Sequence, residues 1–395
     1  MHVYADNAAT TRVSKTALDA MLPYFTEIYG NPSSLHSVGQ EAKEALENAR
    51  ERIAGHLGCQ PREIYFTSGG TESDNMAIRT AAALGARKGK RHIISTAFEH
   101  HAVLHTLKKL EKEGFEVTLL SVKDTHNITA DQVRAALRED TCLVICMFAN
   151  NEIGSVLPIR EIGAVCKEAG VIFHTDAVQA VGHLKINVKD DNIDMLSLSG
   201  HKFHGPRGVG ALYCRRGLLL TNIIDGGAQE RGKRAGTENL PAIMGMTAAM
   251  EHAVANLDAY TARVTALRDK LIAGLSQIPH CDLNGDRVNR LPNNVSFCFE
   301  GIEGEALLLL LDMKGVAASS GSACTSGSLD PSHVLLAIGR IHDVAHGSLR
   351  LSLSEYTTEE EIDHILKVVP EVVAYLRSIS PVWRDLQTGK RQYIL

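Results

Sequence analysis

The sequence predicts an α/β protein with a large domain on a mostly parallel sheet and a smaller α+β domain. Three observations predict this. From about residue 60 to residue 214, apolar runs of strand length alternate with helical patterns, and such alternation means βαβ units with parallel strands covered on both faces. Aromatics make up 5% of the chain while 44% is hydrophobic, so the core must be built from Val, Ile, Leu and Ala, as in buried parallel sheets. At 395 residues the chain is also too long for one small core.

The elements follow in order. Residues 64–67 read as a strand and 71–84 as a helix. Further strands are expected at 92–95, 117–122, 142–148, 171–174, 195–198 and 209–213, with helical patterns between several of them. One of these, 129–137, opens Thr-Ala-Asp-Gln like a capping box. After about Glu238 the pattern changes. A long helix is expected over 241–275, then a strand (294–299), a helix (303–313), a small-residue loop around Cys324 and a strand (348–353). A closing helix opens Thr-Thr-Glu-Glu-Glu, and its apolar positions Ile362, Ile365, Leu366, Val369, Val372, Val373 and Leu376 recur at helical spacing. The division expected is a large domain over 15–260 and a small one formed by 1–14 with 261–395. The polar tail from Arg384 is expected to be loosely held.

A net charge of −5 without a long basic stretch excludes the electrostatic footprint of a nucleic-acid binder. No apolar run is long enough to span a membrane, and Met1 to Asp6 lack the regions of a signal peptide. A cytoplasmic location is expected. The eight cysteines include no Cys-x-x-Cys pair, which argues against a zinc ribbon or a thioredoxin-type motif.

Three segments near strand ends carry chemistry. In Thr67-Ser68-Gly69-Gly70-Thr71-Glu72, glycines let the backbone approach an anion at a helix N-terminus; a capped helix after a flexible turn is the plainer account of this segment alone. In His174-Thr175-Asp176-Ala177-Val178-Gln179, a carboxylate stands at a strand's C-terminal end. It could be a helix N-cap, or the acid that keeps the pyridine nitrogen of pyridoxal phosphate (PLP) protonated. In Ser197-Leu198-Ser199-Gly200-His201-Lys202-Phe203-His204, a lysine follows a buried strand among small and aromatic residues. Partial burial there makes a usable Schiff-base amine, and Ser199 and His201 could donate to a phosphate. The three together point to PLP.

With these in place, the chain resembles the NifS/IscS-type cysteine desulfurases, a branch of the aminotransferase class V, fold-type I PLP enzymes. The resemblance runs nearly end to end. It is carried by Tyr4 to Thr11, Gly30 to His36, Thr67 to Glu72, Glu99-His100, Asn150-Asn151-Glu152, Asp176 to Gln179, Ser199 to Lys202, Glu230 to Thr237, Ser319 to Cys324 and Leu349 to Ser352. The Arg-Ala-Gly-Thr-Glu-Asn run and the Ser-Pro-x-Trp near the C-terminus lean toward the NifS side.

The resemblance implies that Lys202 bonds the cofactor, Asp176 pairs with the pyridine nitrogen, and His100 stacks on the ring as an acid/base. It implies that Gly70, Thr71, Ser199 and His201 hold the phosphate, that Gln179 and Asn151 contact the ring oxygen or the substrate, and that Asn31 joins Asn151 near the substrate. Arg350 would clamp the substrate carboxylate. Thr237 would reach the phosphate of a partner subunit, making a homodimer. An iron–sulfur scaffold protein would accept the sulfur, with Cys324 as a transient cluster ligand. Two positions depart from the family pattern: Gly69-Gly70, and Glu355 where a positive residue or Gly-Arg is frequent.

Residues 319–328 are Ser, Gly, Ala and Thr around the single Cys324. Such a segment buries little apolar surface and is expected to be mobile. The functional reading is a thiolate that takes sulfur from L-cysteine as a persulfide, leaving alanine; the plain one is an incidental cysteine on a turn. Competing readings are a zinc cluster of His100, His101, His105, His201 and His204, another PLP enzyme (an aminotransferase or selenocysteine lyase), and a sulfur-donor subunit of an assembly complex. The zinc reading lacks a Glu between His101 and His105 and an evident third ligand.

Overall fold

The structure is a computed structural model and describes residues 1–320 and 331–395. Cys324 and the rest of its loop centre lie outside the described residues. The chain opens on a short strand, β1 (Val3–Tyr4), and then builds a seven-stranded sheet. Its strands are β2 (Ile64–Thr67), β3 (His92–Thr96), β4 (Glu116–Leu120), β5 (Thr141–Ile145), β6 (Ile172–Asp176), β7 (Met195–Ser199) and β8 (Gly210–Cys214). They lie in the order β2-β8-β7-β6-β5-β3-β4. β4, β3, β5, β6 and β7 are parallel, whereas β8 runs antiparallel to both β7 and β2. Strands β3, β5, β7 and β8 are buried at every position. Helices cover both faces of such a sheet, which is why these strands read as continuous apolar runs rather than alternating ones.

A second sheet has the order β12-β10-β9, all antiparallel, from β9 (Cys281–Leu283), β10 (Asn294–Phe299) and β12 (Ser348–Ser352). Its core is a separate apolar cluster that also takes in Val3 and Ala5. β1 joins this half through β11 (Val316–Ala317), to which it pairs in parallel. The N-terminus therefore crosses from the second sheet to the first within its opening residues.

Local chemistry explains the helix boundaries. Thr129 caps its helix, with the reciprocal bonds of Thr129 and Gln132 both made, and Thr358 does the same with Glu361. The long helix expected over 241–275 is two helices, Leu240–Ala255 and Leu257–Leu275. Asn256 breaks it, at φ −104° and ψ 7°, with its side chain bonded back to the His252 carbonyl. That local bond competes with helix propagation, and apolar periodicity alone does not register it.

The tail also differs from expectation. Tyr393 stacks on His280 with ring centroids 3.7 Å apart, the Ile394 amide donates to Glu300, and Leu395 meets His280 Nδ1 through its carbonyl at 3.0 Å. An aromatic residue and backbone hydrogen bonds hold a segment that composition marks as polar.

Candidate active site

The residues singled out in sequence converge on one cavity of about 270 Å³ at the C-terminal ends of the parallel strands. Gly70, Thr71, His100, Asn151, Asp176, Gln179, Ser199, His201, Lys202 and Arg350 all line it. This is where open α/β sheets place ligands, because strand ends and helix starts meet there.

One wall is the start of the Gly70–Ala86 helix. Gly69 precedes it at φ 150°, and no side chain caps the helix, so its first N–H groups are left to a ligand. Gly70 packs closely: a Cβ there would stand 2.5 Å from Val178 Cγ2, so Val178 or the helix start would have to shift. The Gly69-Gly70 pair is thus a close-packed approach of this helix to the Asp176 turn.

The floor is β6 and β7. Asp176 is buried and accepts the Val178 amide at 2.9 Å. Burial and the nearby Asp74 carboxyl push its pKa up to about 7. Lys202 follows β7, and its Nζ donates to the carbonyls of Ala8 and Ala9 at 2.7 and 2.8 Å. Gln179 donates to the same Ala8 carbonyl at 3.0 Å. The Asp-Asn-Ala-Ala segment thereby orients both side chains. His201 lies beside Thr10 Oγ1 at 3.1 Å, and burial with the neighbouring Lys202 and Arg207 charges pushes its pKa down to about 4. It is a neutral donor or acceptor at neutral pH.

His100 caps the His101–Lys112 helix by accepting the Ala102 amide on Nδ1 at 3.1 Å. That bond needs the Nδ1 lone pair, so the neutral ring carries its proton on Nε2. Burial lowers its pKa, against the opposing pull of Asp176.

The remaining wall comes from the other sheet. Arg350, on β12, is almost wholly buried. One terminal nitrogen donates to Asp6 at 2.9 Å and the other to the Asn151 carbonyl at 3.1 Å. Its Nε has no partner among the described residues. A buried guanidinium with an unused donor is suited to a carboxylate brought in by a ligand.

Asn31 and Thr237 do not line the cavity. Asn31 is exposed and accepts the Ser33 amide within its own turn. Thr237 is exposed on a loop that two ion pairs fix: Arg50 with the buried Glu230, at 2.8 Å, and Arg234 with Glu72, at 2.9 Å. Glu355 contacts His252 at 3.1 Å.

Among the described residues no group of three or more His, Cys, Asp or Glu side chains is placed to hold a metal ion. His101 instead packs its ring against those of His105 and His333, at 4.9 and 4.6 Å.

Sequence reasoning missed Asp6 as the partner of Arg350, and it missed Asp74. The second had a signal: Asp74 lies one helical turn after Gly70, hence on the same face.

An uncapped helix start, a buried acid and a lysine around one cavity fit the phosphate, the pyridine nitrogen and the aldehyde of pyridoxal phosphate, and they define a PLP enzyme. Comparison with known proteins places it more narrowly. Residues 3–365 match the family model "Aminotransferase class-V". The chain is 53% identical over 393 residues to the cysteine desulfurase IscS of Clostridium botulinum, covering 99% of each protein. It is 55% identical over 380 residues to that of Methanosarcina thermophila, covering 96% of this chain and 94% of the relative. Among solved structures, a NifS-like protein superposes with a TM-score of 0.89 at 40% identity, over 95% of this chain and all of the other. The structure "SspA in complex with cysteine" superposes with a TM-score of 0.79 at 39% identity, over 90% of this chain and all of the other. The chain belongs to the aminotransferase class-V family, among its cysteine desulfurases.

Proposed function

We propose that this protein is a PLP-dependent cysteine desulfurase that converts L-cysteine to L-alanine and takes the sulfur as a persulfide on Cys324, for iron–sulfur cluster assembly. The observation that carries the reading is the cavity that joins Lys202 and Asp176 to Arg350, whose buried Nε has no partner among the described residues. The relatives support it: those from Clostridium and Methanosarcina are named cysteine desulfurases, and SspA was solved with cysteine.

In this reading Gly70, Thr71, Ser199 and His201 hold the phosphate, Asp176 the pyridine nitrogen, and Lys202 the aldehyde carbon. When bound, the cofactor supplies an electron sink for the substrate's α-carbon. Arg350 binds the substrate carboxylate, with Asn151 beside it. Lys202, steered by the Ala8 and Ala9 carbonyls, takes the proton from that α-carbon. His100 offers its Nε2 proton to the reacting substrate. Cys324 thiolate attacks the substrate sulfur: an S–S bond forms, the Cβ–S bond breaks with its electron pair left on Cβ, and a proton there completes alanine. The atoms balance as cysteine plus one thiol giving alanine plus one persulfide, with no added oxidant or reductant.

Several finer points belong to the same reading. The chain divides at residues 15–260 and 1–14 with 261–395. It acts as a homodimer in which Thr237 serves the partner's phosphate site. Supporting this, Thr237 is exposed outside its own cavity on an anchored loop, and Leu22, Phe25, Tyr29 and Leu35, near Asn31 in sequence, leave apolar surface exposed. Asn31 is a substrate-side residue in this reading, although it lies outside the cavity of its own chain. The enzyme works in the cytoplasm; no helix among the described residues is long and apolar enough to cross a membrane. An iron–sulfur scaffold protein receives the sulfur, and Cys324 ligates its cluster transiently.

The test is direct. PLP-loaded protein is given L-cysteine and a reductant, and sulfide and alanine are measured. Equal yields are expected; pyruvate in place of alanine, or no sulfide, overturns the reading. Cys324→Ala should keep the yellow cofactor and release no sulfide.

A further inference from the structure

Beneath Asp176 lies a second buried carboxyl group that the proposed chemistry leaves without a task. Asp74 reaches the cavity from the Gly70–Ala86 helix and is 1% exposed. His174 and Asp176 are two residues apart on β6, so both side chains project from the same face of the sheet. Ser197 pairs with Asp176 across β7. Asp74 Oδ1 stands 3.1 Å from His174 Nε2, and the residue lines the same cavity as Asp176, with Asp176 and Ser197 among the groups that act on its charge.

Two carboxyls this close in a dry site cannot both be charged; one proton is held between them. The surroundings decide which one keeps it. Asp176 accepts the Val178 amide, which favours its anion. No backbone N–H donates to the Asp74 side chain among the described residues; its neighbours are Ser197, Asp176 and His174. His174 brings no positive charge, because burial pushes its pKa down to about 4. Burial likewise pushes Asp74 up to about 7.

We propose that Asp74 is a positioning residue for the cofactor: a neutral carboxylic acid that accepts from His174 Nε2–H and donates its own proton to Asp176. Held this way, Asp176 is the anion, aimed at the pyridine nitrogen. This rests on the reading of the cavity as a PLP site.

The test compares Asp74→Asn with Asp74→Ala in protein reconstituted with PLP and without cysteine. Two readouts are taken: the dissociation constant of the cofactor, and the pH titration of its absorbance. An asparagine amide keeps both directions of bonding, accepting through oxygen and donating through nitrogen, so Asn should match the wild type in both. Alanine should weaken cofactor binding about tenfold, the scale of one hydrogen bond to a charged group, and displace the titration. Asn as impaired as Ala would mean that a charged Asp74 is needed and overturns the proposal, as would Ala indistinguishable from wild type.

Infrared spectra of wild-type holoenzyme with ¹³C-labelled aspartate give a check that needs no folded alanine variant. A protonated-carboxyl stretch that moves with the aspartate label is expected at neutral pH, and its absence overturns the idea. The label separates the aspartates from Glu99 and Glu152, which burial also pushes up, to about 8 and about 7, and loss of the band in Asp74→Asn assigns it to Asp74 rather than Asp176. Wild-type protein that takes up no cofactor would sink the cavity reading itself; uptake with both variants equally impaired sinks only the role of Asp74.

Discussion

The cavity wall built by the seven-stranded sheet and the wall built by the three-stranded sheet hold their groups in different ways. On the large sheet, Asp176, Ser199 and Lys202 hang from the ends of neighbouring strands, and Gly70 opens a helix against them. Each position is fixed by a strand buried on both faces. The smaller sheet contributes Arg350 from within β12, and its side chain is oriented by a residue 344 positions away, Asp6. The first wall is a preformed cradle for a cofactor. The second sets the place of Arg350 through the register of β12 with β10, in which Arg350 is paired with Ser296. In the proposed function the groups that hold the cofactor come mainly from the first wall and the carboxylate-binding Arg350 from the second, so substitutions in one should leave the other measurable.

The hardest way to break this division is Lys202→Ala. Cofactor should no longer survive gel filtration, and turnover measured with PLP in excess should fall on the order of 10²–10⁴-fold, the usual loss when a positioned acid–base group is removed. On the opposite wall, Arg350→Ala should raise the cysteine KM by about 10–100-fold, as expected for charge-assisted hydrogen bonds of roughly 1.5–3 kcal/mol. The bound cofactor's absorbance should not change. A spectral change in Arg350→Ala would show that the two walls are not independent.

The difference between the walls also explains what could be read from sequence. The Gly69-Gly70, Asp176 and Lys202 segments are local: each is a strand end followed by a turn, and apolar runs with small residues mark such places. The strands of the large sheet follow for the same reason, since burial on both faces makes them continuous apolar runs. Arg350 was legible only through family resemblance, and its partner Asp6 not at all, because nothing local records a contact between the two ends of the chain. The grip of Ala8 and Ala9 on Lys202 uses backbone carbonyls, which carry no sequence signal. Asp74 carries only the signal of lying one helical turn after Gly70, and its burial is set by the sheet it packs on. The break at Asn256 and the docking of Tyr393 on His280 are likewise set by single contacts.

Within the cofactor wall, Gly70→Ala probes shape without touching any charge. The added Cβ would stand 2.5 Å from Val178 Cγ2, so either the Val178 side chain or the helix start must give way at the Asp176 turn. Overpacking of this kind costs about 1–3 kcal/mol. We expect PLP to bind about tenfold more weakly, at the lower end of that range, with the cysteine KM of the fully loaded enzyme little changed. A KM that rises in step would mean that the substrate wall moves with the cradle.

The smallest effect expected concerns the charge buried beneath both walls, and its sign can be worked out. Burial raises Glu99 to about 8 and Asp74, Asp176 and Glu152 to about 7. Their folded values lie above the unfolded ones, so the stability they contribute is complete below about pH 4 and is lost as pH rises through 7 to 8. His174 and His201 are lowered to about 4 from 6.5 and act in the opposite sense, but only below 6.5. Above that they are neutral in both states, and the carboxyls act alone. The apoprotein's melting temperature should therefore fall between about pH 6.5 and 8.5. Glu99→Gln separates one group from the rest, because Glu99 Oε1 already accepts from Thr96 and the Met147 amide while Oε2 is unpartnered among the described residues. An amide can keep those two bonds. The variant should lose up to about 1.4 kcal/mol of the dependence per pH unit, the linkage limit for one proton, or a few degrees of the melting shift. A slope as steep as the wild type's would place the charge elsewhere in the floor.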